Sequence, residues 1–195
     1  MRHLGWPGIL RLGLVQMALG SIVVLTTATM NRVMVVELAL PATLPGMLVG
    51  LYYATQFLRP RFGHGADQGR RRSPWILGGV ALLGLGGIGA AHPTAGIAAA
   101  VPAFLLIGIG IGAAGTNLLA LLSARVAPER RAAAGSAVWI MMIAGLATTG
   151  ITVGQLLDPY SAARLVTITA CVAALAVSLS AVALWGLEGA AAPVA

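Results

Sequence analysis

The chain has 195 residues, 58% hydrophobic and only 9% charged, with a net charge of +7 and a mean hydropathy of +0.92. A soluble domain carries about 25% charged residues, so this composition excludes a water-covered globule and points to a bilayer as solvent. Nucleic-acid binding is also excluded, because every basic residue is Arg and the arginines sit in short gaps between apolar blocks.

A spanning helix needs about 20 apolar residues, and six blocks approach that length. Together they predict an all-α integral membrane fold made of one six-helix domain over residues 1–195. Block one covers about 12–30. It is longer than the apolar core of a signal peptide and lacks a clear small-residue cleavage site, so a retained signal-anchor helix is expected. Next come Asn31, Arg32 and Glu37 in an apolar setting, which predicts a continuation of helix one or an interfacial helix. A charge near hydrocarbon needs a partner or a path to water. Arg32 and Glu37 therefore either snorkel to the interface or pair at a functional surface.

Block two covers about 41–58, with Pro41 and Pro45 in its first turns, where a missing N–H costs little. Block three covers about 75–91 and block four about 97–122. Glycines on these helices, Gly46 and Gly50 in block two and Gly108, Gly112 and Gly115 on one face of block four, predict close helix packing. A sliding surface or a seat for a flat ligand is the alternative. Block five covers about 136–155 and block six about 164–186. Cys171, in block six, reads as a small buried apolar residue.

With the N-terminus inside, Arg2, Arg11, Arg59, Arg61, Arg70, Arg71, Arg72, Arg125, Arg130 and Arg131 fall on the cytoplasmic side. Only Arg32 and Arg164 fall outside. Ten against two fixes the expected orientation, with both termini cytoplasmic. Enzyme chemistry is not supported. His3, His64 and His92 are scattered without metal-ligand spacing, so no metal site and no catalytic residues are expected. The glycine string of block four has no preceding strand and no following Lys, so it is not a phosphate loop. The polar residues inside the blocks, Gln16, Asn117 and Gln155 among them, would face lipid in a lone six-helix unit.

The gap after block two contains Gly63, His64, Asp67, Gly69, Arg70, Arg71 and Arg72. It resembles the loop between helices two and three of the major facilitator superfamily, one residue short between Asp67 and Gly69. In such a loop Gly63 would permit a tight turn and the carboxylate would meet helix N-termini or an arginine. The gap after block four, Pro128, Glu129, Arg130 and Arg131, predicts a tight turn in which Glu129 caps helix five or pairs with an arginine.

The string Asn31-Arg32-Val33-Met34-Val35-Val36-Glu37-Leu38-Ala39-Leu40-Pro41-Ala42 resembles the PucC/LhaA family of phototrophic bacteria, a branch of the major facilitator superfamily. Gly63-His64 with Asp67, then Arg71-Arg72 with Pro74, Ala127 to Arg131, and Val138-Trp139-Ile140-Met141-Met142 extend the likeness. The resemblance implies a bacteriochlorophyll-handling assembly factor for light-harvesting complexes in the bacterial inner, intracytoplasmic photosynthetic membrane. It implies antenna α and β polypeptides or a reaction-centre complex as partners, beside the lipid bilayer. Bacteriochlorophyll or a precursor would be cargo, held by apolar and glycine-lined surfaces more than by histidine. A half of a solute transporter and a permanent accessory subunit of a photosynthetic complex remain alternatives. Family members have twelve helices. The six here match an N-terminal half, so self-association or a separate second half is expected.

Overall fold

A computed structural model describes residues 3–68, 71–92 and 96–188. Gly69, Arg70, Pro93 and the tail from Gly189 lie outside them. Among the described residues the chain is all helix, as an apolar solvent requires, since helices satisfy their own backbone polar groups.

Helix α1 runs from Trp6 to Glu37, well beyond the expected 12–30, and absorbs the Arg32–Glu37 segment as its own continuation. Pro7 sits in its first turn. Two stretches, Leu25–Thr29 and Val33–Glu37, widen into π-helix. The Thr26 and Thr27 hydroxyls bond back to the Ile22 and Val23 carbonyls at 2.7–3.2 Å, competing for the acceptors of the regular ladder where the first widening begins.

Helix α2 consists of Thr43–Ala54, a 3₁₀ turn at Thr55–Leu58, and Arg59–Gln68. The expected loop with a turn at Gly63 is therefore corrected: residues 59–68 continue the helix. The tightened turn comes just before Pro60, which cannot donate to the ladder and needs an adjustment there. Helices α3 (Ser73–Ala91), α4 (Gly96–Arg125), α5 (Arg131–Leu156) and α6 (Ala162–Leu184) follow. A 3₁₀ turn, Pro128–Arg130, leads into α5.

Among the described residues, five helices are long and apolar enough to cross a membrane: α1, α3, α4, α5 and α6. The apolar part of α2 ends at Leu58, where arginines begin, so it falls short of that length.

Around the bundle the packing order is α5, α1, α6, α3, α4, α2. Small residues set the closest approaches. A Cβ on Gly79 would lie 2.6 Å from the Gly110 carbonyl oxygen, and one on Gly20 would lie 2.6 Å from the Met142 carbonyl oxygen. Gly108 and Gly112 pack on α2, against Thr55 and Phe62, as the spacing predicted. A Cβ on Gly46, Gly50 or Gly115 would meet nothing within 4 Å, so the expected packing fails there. Gly46 and Gly50 lie on an uncovered face of α2.

Phe104, Ile9, Leu12, Leu83 and Leu118 fill the core. Gln16 and Asn117 are buried within the bundle, contrary to the expectation that they face lipid, whereas Gln155 is exposed. Asn117 is held there because its amide donates to the Ala113 carbonyl at 2.9 Å and the Phe62 carbonyl at 3.3 Å. Cys171 is exposed rather than buried, because it opens onto the shallow groove where α5 and α6 diverge.

Candidate functional site

The predicted site residues separate to the two ends of the bundle. At the end where α1 stops, a cavity of about 400 Å³ opens between the helix ends. Met30, Val33 and Met34 of α1 form one wall, with Leu38, Leu40 and Leu44 continuing it. Ala91 and His92, at the end of α3, and Tyr160 complete it. The string Asn31 to Pro41 is thus one side of an apolar chamber.

Asn31 and Arg32 are exposed beside it, while Glu37 is partly covered. The Arg32 guanidinium lies 3.6 Å from the Glu37 carboxylate. Residues five apart do not face each other on an α-helix. The π turn Val33–Glu37, whose hydrogen bonds run from i to i+5, brings them over one another. The chain then leaves the helix through Ala39, whose φ of 49° is left-handed, and the Leu40 N–H bonds the Met34 carbonyl at 2.9 Å. Burial, and then the negative charge of Glu37, push the Tyr160 phenol above its ordinary value. Tyr160 was missed by sequence reasoning. It sits in a short connection, outside every apolar block and outside the family strings.

At the opposite, arginine-rich end, Asp67 pairs with Arg72, so the carboxylate of the 59–72 segment does meet an arginine. Arg72 also donates to the Asn117 side-chain oxygen at 3.3 Å, tying α2, α3 and α4 together. The segment just after α6 joins this cluster. Glu188 accepts the backbone N–H groups of Arg72 and Ser73, capping α3. Arg11 donates to the carbonyls of Ala183 at 2.9 Å and of Trp185, and Arg125 donates to the Leu187 carbonyl at 3.2 Å. Arginines thus satisfy carbonyls at and just beyond the end of α6, which no helical N–H reaches.

The other predicted residues stay apart from both clusters. His64 shares a 2.9 Å hydrogen bond with Gln68 on the exposed side of α2. Gly63 lies inside the α2 helix, beside the Thr116 methyl. Arg71 is exposed. Glu129 and Arg130 are exposed in the turn before α5, and Glu129 neither caps that helix nor forms an ion pair among the described residues. Trp139 is 48% exposed on α5. No group of three or more His, Cys, Asp or Glu that could hold a metal occurs among the described residues.

The profile of the PUCC protein family matches residues 29–193, which takes in both ends of the bundle. The chain belongs to this family. It is 50% identical over 193 residues to the bacteriochlorophyll synthase 44.5 kDa chain of Rhodobacter capsulatus, covering 95% of this chain and 45% of that one. It is 33% identical over 200 residues to protein PucC of Cereibacter sphaeroides, covering 92% of this chain and 44% of the relative. A protein of the puhA-bchM intergenic region of Rhodobacter capsulatus is 31% identical over 198 residues, with 92% and 42% covered. The chain thus spans less than half the length of these curated relatives.

Proposed function

We propose that this chain is the six-helix half of an assembly factor for bacterial light-harvesting complexes, holding bacteriochlorophyll or a precursor as cargo without making or breaking a bond in it. The carrying observation is that the family string, Asn31 to Pro41, walls the apolar cavity. Ligand pockets are typically apolar chambers of about 300–1,000 Å³ with a few placed polar groups. Here those groups are His92 and Tyr160 in the wall, with the Arg32–Glu37 pair at the edge. A cavity of about 400 Å³ is smaller than a whole tetrapyrrole with its tail, so it takes one part of the pigment. The remainder lies against lipid, an antenna polypeptide or a second half.

In this reading α2 is a sixth spanning helix, its short apolar part extended by flanking arginines that snorkel to the interface. The arginine-rich end is cytoplasmic, which places the cavity on the outer side of the bacterial inner membrane. A half-transporter for a hydrophilic solute is disfavoured by the scarcity of polar groups in the cavity wall. The name of the 50% identical relative also admits a component of a pigment-synthesis enzyme.

The test is purification from a phototrophic host. The expected product carries a near-infrared-absorbing pigment. Met34→Trp, which fills the cavity, lowers the pigment content, while His92→Leu leaves most of it. A pigment-free preparation that still promotes antenna assembly overturns the cargo role. Chemical conversion of added precursor by the purified protein overturns the non-enzymatic one.

A further inference from the structure

A second cavity, of about 300 Å³, opens at the arginine-rich end between α3 and α4. Phe62 and Trp75 form its sides, and Gly78, Leu82 and Ile109 line its length. Space beside Gly78 is open, since a Cβ added there would meet nothing within 4 Å, so a slot continues along α3. From Pro74 to Leu82 it runs about 12 Å along the helix axis at 1.5 Å per residue.

An exposed cation on α2 stands beside this slot. Arg61 stands one turn before Gly65 on α2, and residues four apart share a helix face. That face meets α3: a Cβ on Gly65 would lie 2.8 Å from the Trp75 ring. Arg61 is exposed and has no hydrogen bond or ion pair with any described residue. Of the other arginines nearby, Arg59 bonds Gln56 at 2.6 Å, Arg72 bonds Asp67 and Asn117, and Arg71, exposed one turn before Trp75, acts by its charge on Glu188. Trp75, 36% exposed, sits just after Arg71 and Arg72, at the depth at which indoles mark a membrane interface.

We propose that this slot is a seat for one anionic phospholipid, its phosphate on Arg61 and one acyl chain along Gly78 and Leu82. The apolar length, with a cation beside it that no described residue engages, matches an amphiphile with a negative head. A soluble anion would leave the slot empty, and a zwitterionic lipid would bring a second charge that Arg61 repels. The proposal is independent of the pigment-handling function, since it concerns the opposite end of the bundle.

The experiment is native mass spectrometry of the purified full chain with phosphatidylglycerol or phosphatidylcholine of identical acyl chains. Retention of phosphatidylglycerol is expected to exceed that of phosphatidylcholine about fivefold, the effect of one arginine at an anionic head. Arg61→Gln lowers the ratio, and Arg130→Gln, another exposed cation away from the slot, leaves it unchanged. Gly78→Leu, which fills the slot from an open position, lowers retention of both lipids together. Glycerophosphoglycerol without chains does not compete. Equal retention of the two lipids by the unaltered chain overturns the proposal, as does an unchanged ratio in Arg61→Gln. An equal loss in Arg130→Gln, or displacement by the chainless headgroup, overturns it too.

Discussion

The Glu188 carboxylate accepts the Ser73 backbone N–H at 2.9 Å, so the segment after α6 caps the start of α3. Burial alone would push this carboxyl up, but the two N–H groups of Arg72 and Ser73 and the charge of Arg71 outweigh it and hold the group below its ordinary 4.5. A depressed carboxylate stabilises the fold fully above its unfolded value. That contribution fades as pH falls through the depressed folded value. Acidification below about pH 4.5 is therefore expected to free the α6 end. Trp185 emission, followed in a variant lacking the other tryptophans, should shift over that window and stay flat with pH in Glu188→Gln. A shift of equal size in both proteins would refute the cap.

The Arg32–Glu37 pair is 3.6 Å apart with Arg32 more than half exposed, so its contribution to stability is small, about 0–1 kcal/mol. Its expected importance is to assembly. Arg32→Ala and Glu37→Ala should each reduce antenna absorbance in a phototrophic host more than they reduce the protein level. Unchanged absorbance in both would remove the pair from the function.

Helix α5 leans chiefly on α1, and a side chain at Gly145 would strike the Met17 backbone carbonyl. Gly145→Ala should lower the unfolding midpoint in detergent, with about 1–3 kcal/mol lost to overpacking. Gly154→Ala, on the same helix but meeting nothing within 4 Å, should leave or raise it. Equal effects of the two would show that the α1–α5 contact does not set the stability.

Orientation can be read by labelling. In a Cys171→Ala background, cysteines at Arg130 and at Asp158 should react from opposite sides of intact vesicles, with Arg130→Cys accessible only from the cytoplasmic face. Reaction of both from one side contradicts the arginine-bias orientation.

The faces of α2 and α5 are the least covered in the bundle: 17% of the most apolar stretch of α5 is buried against 56% in α1. With less than half of each relative's length present, a second half or a second copy is expected there. Cysteines at Gly50 or Gly154 should cross-link to another chain in native membranes. A functional protein that cross-links only within itself would exclude such pairing.

Much of this fold was legible in apolar block lengths, which located α3 to within two residues of the start and placed α4 to α6. The misses have physical causes. Block counting alone ends α1 at the first charges, whereas the apolar setting of Arg32 and Glu37 points to the continuation that the helix makes to residue 37. Arg59 to Gln68 looked like a loop because it is polar and holds two glycines. Gly65 instead lets α2 lie close against Trp75 of α3, while Gly63 faces Thr116 of α4. The family string named Arg32 and Glu37, yet pattern alone could not show that Met30 and Met34 turn into a chamber. Nor could it bring Tyr160 or His92, distant in sequence, to the same wall. Glu188 was overlooked because a single acid after the last apolar block carries no spacing signal.

The widened turns of α1 have a rotational consequence. Ile22, Thr26, Met30 and Met34 are all buried and recur at intervals of four. On a regular helix of 3.6 residues per turn each such step overshoots by about 40°, so three steps would swing the face by about 120°. Wider turns advance less per residue and cancel part of that swing. One side of the rod therefore stays turned inward from the core to the cavity mouth. Removing a residue from Leu25–Thr29 would leave the helix intact but rotate everything beyond it, carrying Met34 out of the chamber while Arg32 and Glu37 turned together, still aligned by their own π turn.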